Sequence, residues 1–266
     1  MDRFVNEKDY ALLSRDRFTF DVMARNLSSD CRLILSDHEN VVLCYSIPPF
    51  PIWIWTVDHC DESVKLKVWD LLKANDLLIP GCRFNVKHDL ADWMIQKAVE
   101  DGISVVIEKN LMAYECTSPI KPSCETDGYL YRVQEADAEE LTKLRMAFHA
   151  ELRYDEQDEA SYRQKSKEQL ENHVPIFFWK NGEDKTVACS QYTTSDRSAN
   201  IGLVYTLPEE RKKHYASMMV YQITKMALDE GFTPMLYTDA DYIASNACYQ
   251  KIGYEFRGDL CTVMIV

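Results

Sequence analysis

The chain has 266 residues, 46% of them hydrophobic and 27% charged, enough for one large core or two of about 130 residues each. Only 8 glycines and 9 prolines exclude collagen-like and linker-dominated architectures. A net charge of −13 argues against non-specific binding to nucleic acid or to an anionic membrane, so neither is expected as a partner.

The opening MDRFVNEKDY is charged from the start and has no apolar core, so no secretory signal is expected. Cys31–Ser36 and Val41–Tyr45 read as a hairpin across Asp37–Asn40, and Ile52–Val57 as a strand. The apolar stretch from Ile47 to Val57 is broken by Pro48, Pro49 and Pro51 and is too short to span a bilayer. A helix is predicted over Ser63–Ala74, a strand over Arg83–Val86, a helix over Leu90–Glu100 and a strand pair over Ser104–Glu115. The turn Asp58-His59-Cys60-Asp61 hints at metal ligands, but no second cluster matches it, so a surface turn is expected and no metal. Trp53, Trp55, Trp69 and Trp93 are expected in packing rather than in a ligand cage. Nine cysteines lie scattered without a CxxC pair, which suggests reduced thiols and a cytoplasmic location.

Cys116–Gly128 holds two prolines and an Asp-Gly and no apolar period, so it reads as a boundary. The expected division is a domain over 1–116, a linker over 117–128 and a domain over 129–266. Beyond the linker come a strand at Tyr129–Gln134 and helices at about Ala136–Glu151 and Ser161–Asn172. A hairpin follows, Val174–Lys180 with Thr186–Thr194, turning at Asn181-Gly182, and then a strand at Ser198–Thr206. Ala216, Met219, Val220, Ile223 and Ala227 recur at helical spacing between His214 and Glu230, and Gly231 stands at the C′ position. Met235–Asp239 is a strand, Ile243–Ile252 a helix closed by Gly253, and Tyr254 opens one or two final strands. The order is α/β, and the first half echoes part of it.

The densest basic cluster, Arg211-Lys212-Lys213-His214, opens the long apolar helix, where free backbone N–H groups and the positive dipole end favour a phosphate. The stretch GLVYTLPEERKKHYA (Gly202–Ala216) resembles the acyl-CoA signature of the GNAT superfamily of N-acetyltransferases, with Arg211 and Ala216 at the ends of its loop pattern. SNACYQKIGYE (Ser245–Glu255) resembles the family's second signature through Asn246, Tyr249, Gly253 and Tyr254. The resemblance covers residues 129–266. It implies a GNAT fold there, with a mixed, mostly antiparallel sheet flanked by helices, and a degenerate GNAT-like α/β domain before it, as in two-domain bacterial members.

Roles follow from the same resemblance. Val204, Tyr205 and Thr206 would bond the pantetheine arm of acetyl-CoA, one backbone N–H polarising the thioester carbonyl. Arg211, Lys212, Lys213, His214, Tyr215, Ala216 and Ser217 would wrap the pyrophosphate, and Asn246 would orient the cofactor. Tyr249 would protonate the leaving thiolate, a phenol of pKa about 10 acting on a thiol of pKa about 8.5. The implied reaction is transfer of an acetyl group to a small amine by direct attack in a ternary complex. Cys248 has no histidine at a suggestive spacing and is not expected to be a nucleophile. The general base is open among His149, Glu151, Asp155, Glu156 and Glu210. One departure stands out: His214 occupies the loop's central glycine position, and Lys212 a second. Either His214 contacts the phosphate, or the site has weakened towards a non-catalytic CoA-binding or regulatory module; the first reading is preferred because both signatures stand together.

Overall fold

The computed structural model describes residues 1–29, 31–48, 50–152 and 158–266. It divides into two compact units, the first made of Met1–Ala113, Thr238–Tyr242 and Phe256–Val266, the second of Tyr114–Tyr237 and Ile243–Glu255.

Unit 1 holds helices α1 (Glu7–Leu13) and α2 (Asp21–Leu27), strands β1 (Leu33–Ser36), β2 (Val41–Tyr45) and β3 (Ile52–Thr56), helix α3 (Glu62–Ala74), strand β4 (Arg83–Val86), helix α4 (His88–Glu100) and strand β5 (Val105–Glu115). β1, β2 and β3 form an antiparallel meander, and β4 lies parallel to β3. Alternation in β2 and β3 buries both sheet faces. Val41, Leu43, Ile52 and Ile54 join Val68, Trp69 and Leu72 of α3 and Leu90 and Met94 of α4. On the opposite face Val42, Cys44, Trp53 and Trp55 pack on Phe20, Met23 and Leu27. The indole N–H groups of Trp55 and Trp69 donate to Asp16 and Asp101, each at 2.7 Å. Asp61 caps α3, accepting from the Val64 N–H at 3.0 Å, so this carboxylate of the suspected metal turn serves a helix end.

Unit 2 runs β6 (Tyr129–Arg132), α5 (Ala138–Glu151), α6 (Glu159–Glu171), β7 (Ile176–Lys180), β8 (Thr186–Ser195), β9 (Ser198–Thr206), α7 (Tyr215–Asp229), β10 (Thr233–Asp239) and α8 (Ile243–Ile252). Strands β6 to β9 pair antiparallel in sequence order, and β10 joins β9 in parallel. Ile176, Phe178, Cys189, Leu203 and Tyr205 face Leu141 and Leu144 of α5 and Leu170 of α6. The result is the expected mixed, mostly antiparallel sheet with flanking helices.

Three features differ from the sequence reading. Ser104–Glu115 holds one strand, β5, and not a pair; the chain after Tyr254 forms one strand, β11 (Glu255–Ile265), within the one or two expected there. The units are not contiguous in sequence: residues 256–266 join 1–113, β11 pairing antiparallel with β4 through Cys261↔Val86 and Val263↔Phe84. The stretch read as a linker is tied to unit 2, with the Cys116 N–H donating to the Pro234 carbonyl at 3.0 Å and the Ile120 N–H to that of Ile252 at 2.7 Å. No helix among the described residues is long and apolar enough to cross a membrane.

Candidate active site

The site of unit 2 begins where β9 and β10 part. Their parallel pairing covers only Ser198–Asn200 against Thr233–Met235. From Ile201 to Thr206 the β10-facing edge of β9 is therefore open. Within this stretch the register against β8 slips between Cys189 and Gln191, and Leu203 takes φ 54°. Such a bulge adds twist and re-aims the residues beyond it, here Val204, Tyr205 and Thr206. Tyr205 is buried against the Phe148 ring at 6.3 Å, while Val204 and Thr206 are half-buried.

After β9 a single turn, Pro208–Glu210, leads into the basic loop. Arg211, Lys212, Lys213 and His214 are all exposed. Lys212 and His214 both have φ 64°, the left-handed region that costs an L side chain about 1–2 kcal/mol. Both positions where the resembled pattern has glycine thus hold a left-handed backbone on a residue that carries a Cβ. His214 is the N-cap of α7 and makes no side-chain capping bond; the first backbone bond of the helix runs from the Met218 N–H to the His214 carbonyl at 3.1 Å. Tyr215, Ala216 and Ser217 form the first turn, whose N–H groups have no partner within the helix.

Neighbouring carboxylates hold part of this charge. Arg211 donates to the Thr206 carbonyl at 3.1 Å, pairs with Glu151 and lies 5.8 Å from the Tyr205 ring centroid. Lys213 donates to the buried Glu210 at 2.8 Å, which holds the Lys213 ammonium above its usual pKa range, and Lys185 stands 3.9 Å from the same carboxylate. Two base candidates, Glu151 and Glu210, are thereby committed to cations. His149 bonds the Tyr162 hydroxyl at 3.1 Å. Asp155 and Glu156 lie outside the described residues.

Asn246 and Tyr249 are both buried on α8. Burial first, and then Cys248, push the Tyr249 phenol well up, so it keeps its proton at neutral pH. The start of α7 meets α8 through Ser217 and Cys248, whose Oγ and Sγ are 3.2 Å apart; burial raises the Cys248 thiol, opposite to what a nucleophile needs. Tyr254 donates or accepts at 2.6 Å with Thr224 of α7 and stacks edge-on to Tyr249 at 5.9 Å, a packing role.

One residue escaped the sequence reading. Asp127 accepts from the Gly182 N–H at 2.7 Å and from the Tyr215 hydroxyl at 2.8 Å, so it fixes the first residue of α7. Those bonds hold its carboxyl below the usual range, while burial and Asp127 push Tyr215 up to about 12. The adjoining Gly128 has φ 89°, and a Cβ there would meet the Lys180 carbonyl oxygen at 1.9 Å. In the sequence this pair showed only as an Asp-Gly turn.

Residues 138–254 match the model of the acetyltransferase (GNAT) family. No curated protein matches the chain in sequence. Among solved structures the fold resembles a GNAT-family acetyltransferase from Colwellia psychrerythraea, at 12% identity over 99% of this chain and 98% of that one, with a TM-score of 0.59. A GCN5-related N-acetyltransferase from Kribbella flavida gives 14% identity, coverage of 98% and 96%, and a TM-score of 0.61. A Drosophila protein gives 11%, 98% and 91%, and 0.64. At such identities the likeness speaks for the fold, and the family match speaks for the domain. Residues 138–254 of this chain are a domain of the GNAT acetyltransferase family, set in a fold that solved GNAT proteins share along nearly its whole length.

Proposed function

We propose that unit 2 transfers the acetyl group of acetyl-CoA to a primary amine, with a small molecule or an amino acid as the favoured acceptor. The observation that carries this reading is the start of α7. Four exposed, potentially cationic side chains precede an uncapped helix N-terminus, and both glycine-pattern positions hold left-handed dihedrals. A loop that bears this strain twice is shaped for a purpose beyond connecting β9 to α7.

In this reading the N–H groups of Tyr215, Ala216 and Ser217 take phosphate oxygens, with Lys212 and His214 adding charge-assisted bonds. The open edge of β9 at Val204–Thr206 takes the pantetheine amides and offers an N–H to the thioester oxygen as negative charge develops there. The neutral amine attacks the carbonyl carbon, the C–S bond breaks, and Tyr249 gives its proton to the departing sulfur; the proton that the new amide nitrogen sheds leaves to water, and the Tyr249 phenol is restored from solvent. The raised pKa of Tyr249 keeps the donor protonated, and a thiolate formed in the same poorly solvated place is itself made more basic. Asn246 orients the donor.

A second reading draws on the carboxylates. Glu210, buried against Lys213, and Glu151, paired with Arg211, compete with a pyrophosphate for the loop's cations. If that competition prevails, the domain is a CoA-binding or regulatory module without turnover. Calorimetric titration with acetyl-CoA, using dephospho-CoA and AMP as controls, decides between them when followed by an acceptor screen. Micromolar binding with acetylated product supports the enzyme; binding without product over amino acids and polyamines supports the module; no binding up to millimolar ligand removes both.

A further inference from the structure

Two thiols of unit 1 touch. Cys31, in the irregular stretch between α2 and β1, places its Sγ 3.5 Å from that of Cys44 in β2. They stand 13 residues apart in sequence, a spacing that marks no redox or metal motif. Both cysteines, and the apolar cluster they pack into, belong to unit 1.

The two thiols differ in access. Cys44 is fully buried with Phe20, Met23 and Leu27, and burial first, then Cys31, raises its thiol far above the usual range, so it stays protonated. Cys31 is half-buried and adjoins the exposed Arg32. Its thiol donates to the Asn26 carbonyl of α2 at 3.0 Å, so in the contact between the sulfurs Cys44 is the donor. A dissolved reagent therefore meets Cys31, and Cys44 is within reach of Cys31. A disulfide needs about 2.05 Å between the sulfurs, so the pair must close by about 1.5 Å. Cys44 is held by strands on both sides, opposite Ile34 of β1 and Trp53 of β3. Cys31 precedes the strand and supplies the movement.

We propose that Cys31 and Cys44 are a redox-active pair that a low-molecular-weight disulfide, RSSR, converts to an internal disulfide. Cys31 loses its proton to solvent, and its sulfur attacks one sulfur of RSSR. The S–S bond of the reagent breaks, RS⁻ leaves and takes up a proton, and Cys31 carries a mixed disulfide. Cys44 then gives its proton to water as its sulfur attacks that of Cys31, and the second RS⁻ leaves to become thiol. Two protein thiols and one RSSR thus give one internal disulfide and two RSH. A protonated Cys44 is a poor nucleophile towards a dissolved reagent. Contact with Cys31 offsets this, because the second attack is intramolecular. The pair is independent of the acetyltransferase reading and involves none of the residues of unit 2.

The test exposes the reduced full-length protein to excess oxidised glutathione at about pH 8, where a free thiol is partly ionised. After an acid quench the remaining thiols are alkylated in denaturant and the peptides mapped by tandem mass spectrometry. The wild type is expected to yield a peptide joined through Cys31 and Cys44, at least about tenfold in excess of any glutathione adduct on Cys31. Cys44→Ala, which lacks the second thiol, is expected to stop at the glutathione adduct on Cys31. Cys31→Ser is expected to leave Cys44 as a free thiol. The wild-type result decides alone if either variant fails to fold. Recovery of Cys31 and Cys44 as alkylated thiols, a glutathione adduct on Cys31 that persists in the wild type, a bridge from Cys31 to another cysteine, or a Cys31→Ser protein whose Cys44 takes up glutathione each overturns the proposal.

Discussion

Replacing His214 by glycine separates the two readings of the loop through acetyl-CoA affinity, with thermal stability as the control. At φ 64° and ψ 11° the side chain costs about 1–2 kcal/mol of backbone strain. Glycine removes that strain and gives back about 0.4–1 kcal/mol through the greater freedom of the unfolded chain. The expected thermal midpoint is therefore unchanged or raised by a few degrees, whichever reading holds. Affinity responds differently. If the imidazole contacts a phosphate, its loss removes a hydrogen bond to a charged group, about 1.5–3 kcal/mol, and acetyl-CoA affinity falls at least about tenfold. His214→Ala, which keeps the Cβ and loses the ring, falls by the same factor. Calorimetry on both variants beside a thermal melt reads the result. Tighter acetyl-CoA binding by His214→Gly refutes the reasoning, because it shows that the Cβ crowds the pyrophosphate and that the ring contributes nothing.

Other consequences are equally open to measurement. Tyr249→Phe is expected to lower kcat by about 100-fold or more with little change in the KM for acetyl-CoA, since general acid catalysis contributes on that scale; steady-state kinetics that move KM instead assign Tyr249 to binding. Gly128→Ala places a Cβ on the Lys180 carbonyl at positive φ and is expected to destabilise by about 2 kcal/mol or more, read from urea unfolding. His38 bridges Asp9 at 2.7 Å and Asp2 at 3.0 Å, and the Asp9 bond raises its pKa above 6.5. Its contribution is thus complete below about pH 6.5 and is lost as pH rises through the raised value. Melting curves of the wild type and His38→Gln should differ most at acidic pH and converge on the alkaline side; a gap that widens with pH contradicts this.

Local patterns gave most of the elements. Short apolar runs bounded by turn residues found β2, β3 and the β7–β8 hairpin, and the spacing of Met219, Val220, Ile223 and Ala227 found α7. Short helices were harder: α1 and α2 have 7 residues each, too few turns for an apolar stripe to show, although the Asn6–Asp9 capping box marks the first. The loop's cations were legible as a cluster, but the backbone that makes Lys212 and His214 behave as glycines was not, since nothing in a lysine or histidine announces a positive φ. Ion pairs such as Arg211–Glu151, 60 residues apart, join side chains that only the fold brings together, and so does the seat of Tyr215 on Asp127, 88 residues away. The exchange of the last strand into unit 1 escaped for the same reason.

That exchange bears on the order in which the protein matures during synthesis. A contiguous N-terminal domain finishes folding while the ribosome is still translating the rest. Here β4 waits for β11, with Cys261 175 positions beyond Val86, so the first unit's sheet stays incomplete until residues 255–265 are made. Meanwhile the edge of β4 stands unpaired, a surface that nascent-chain chaperones exist to shield. A premature stop after Tyr254 leaves the whole GNAT-matched stretch in place and deprives the N-terminal unit of a strand.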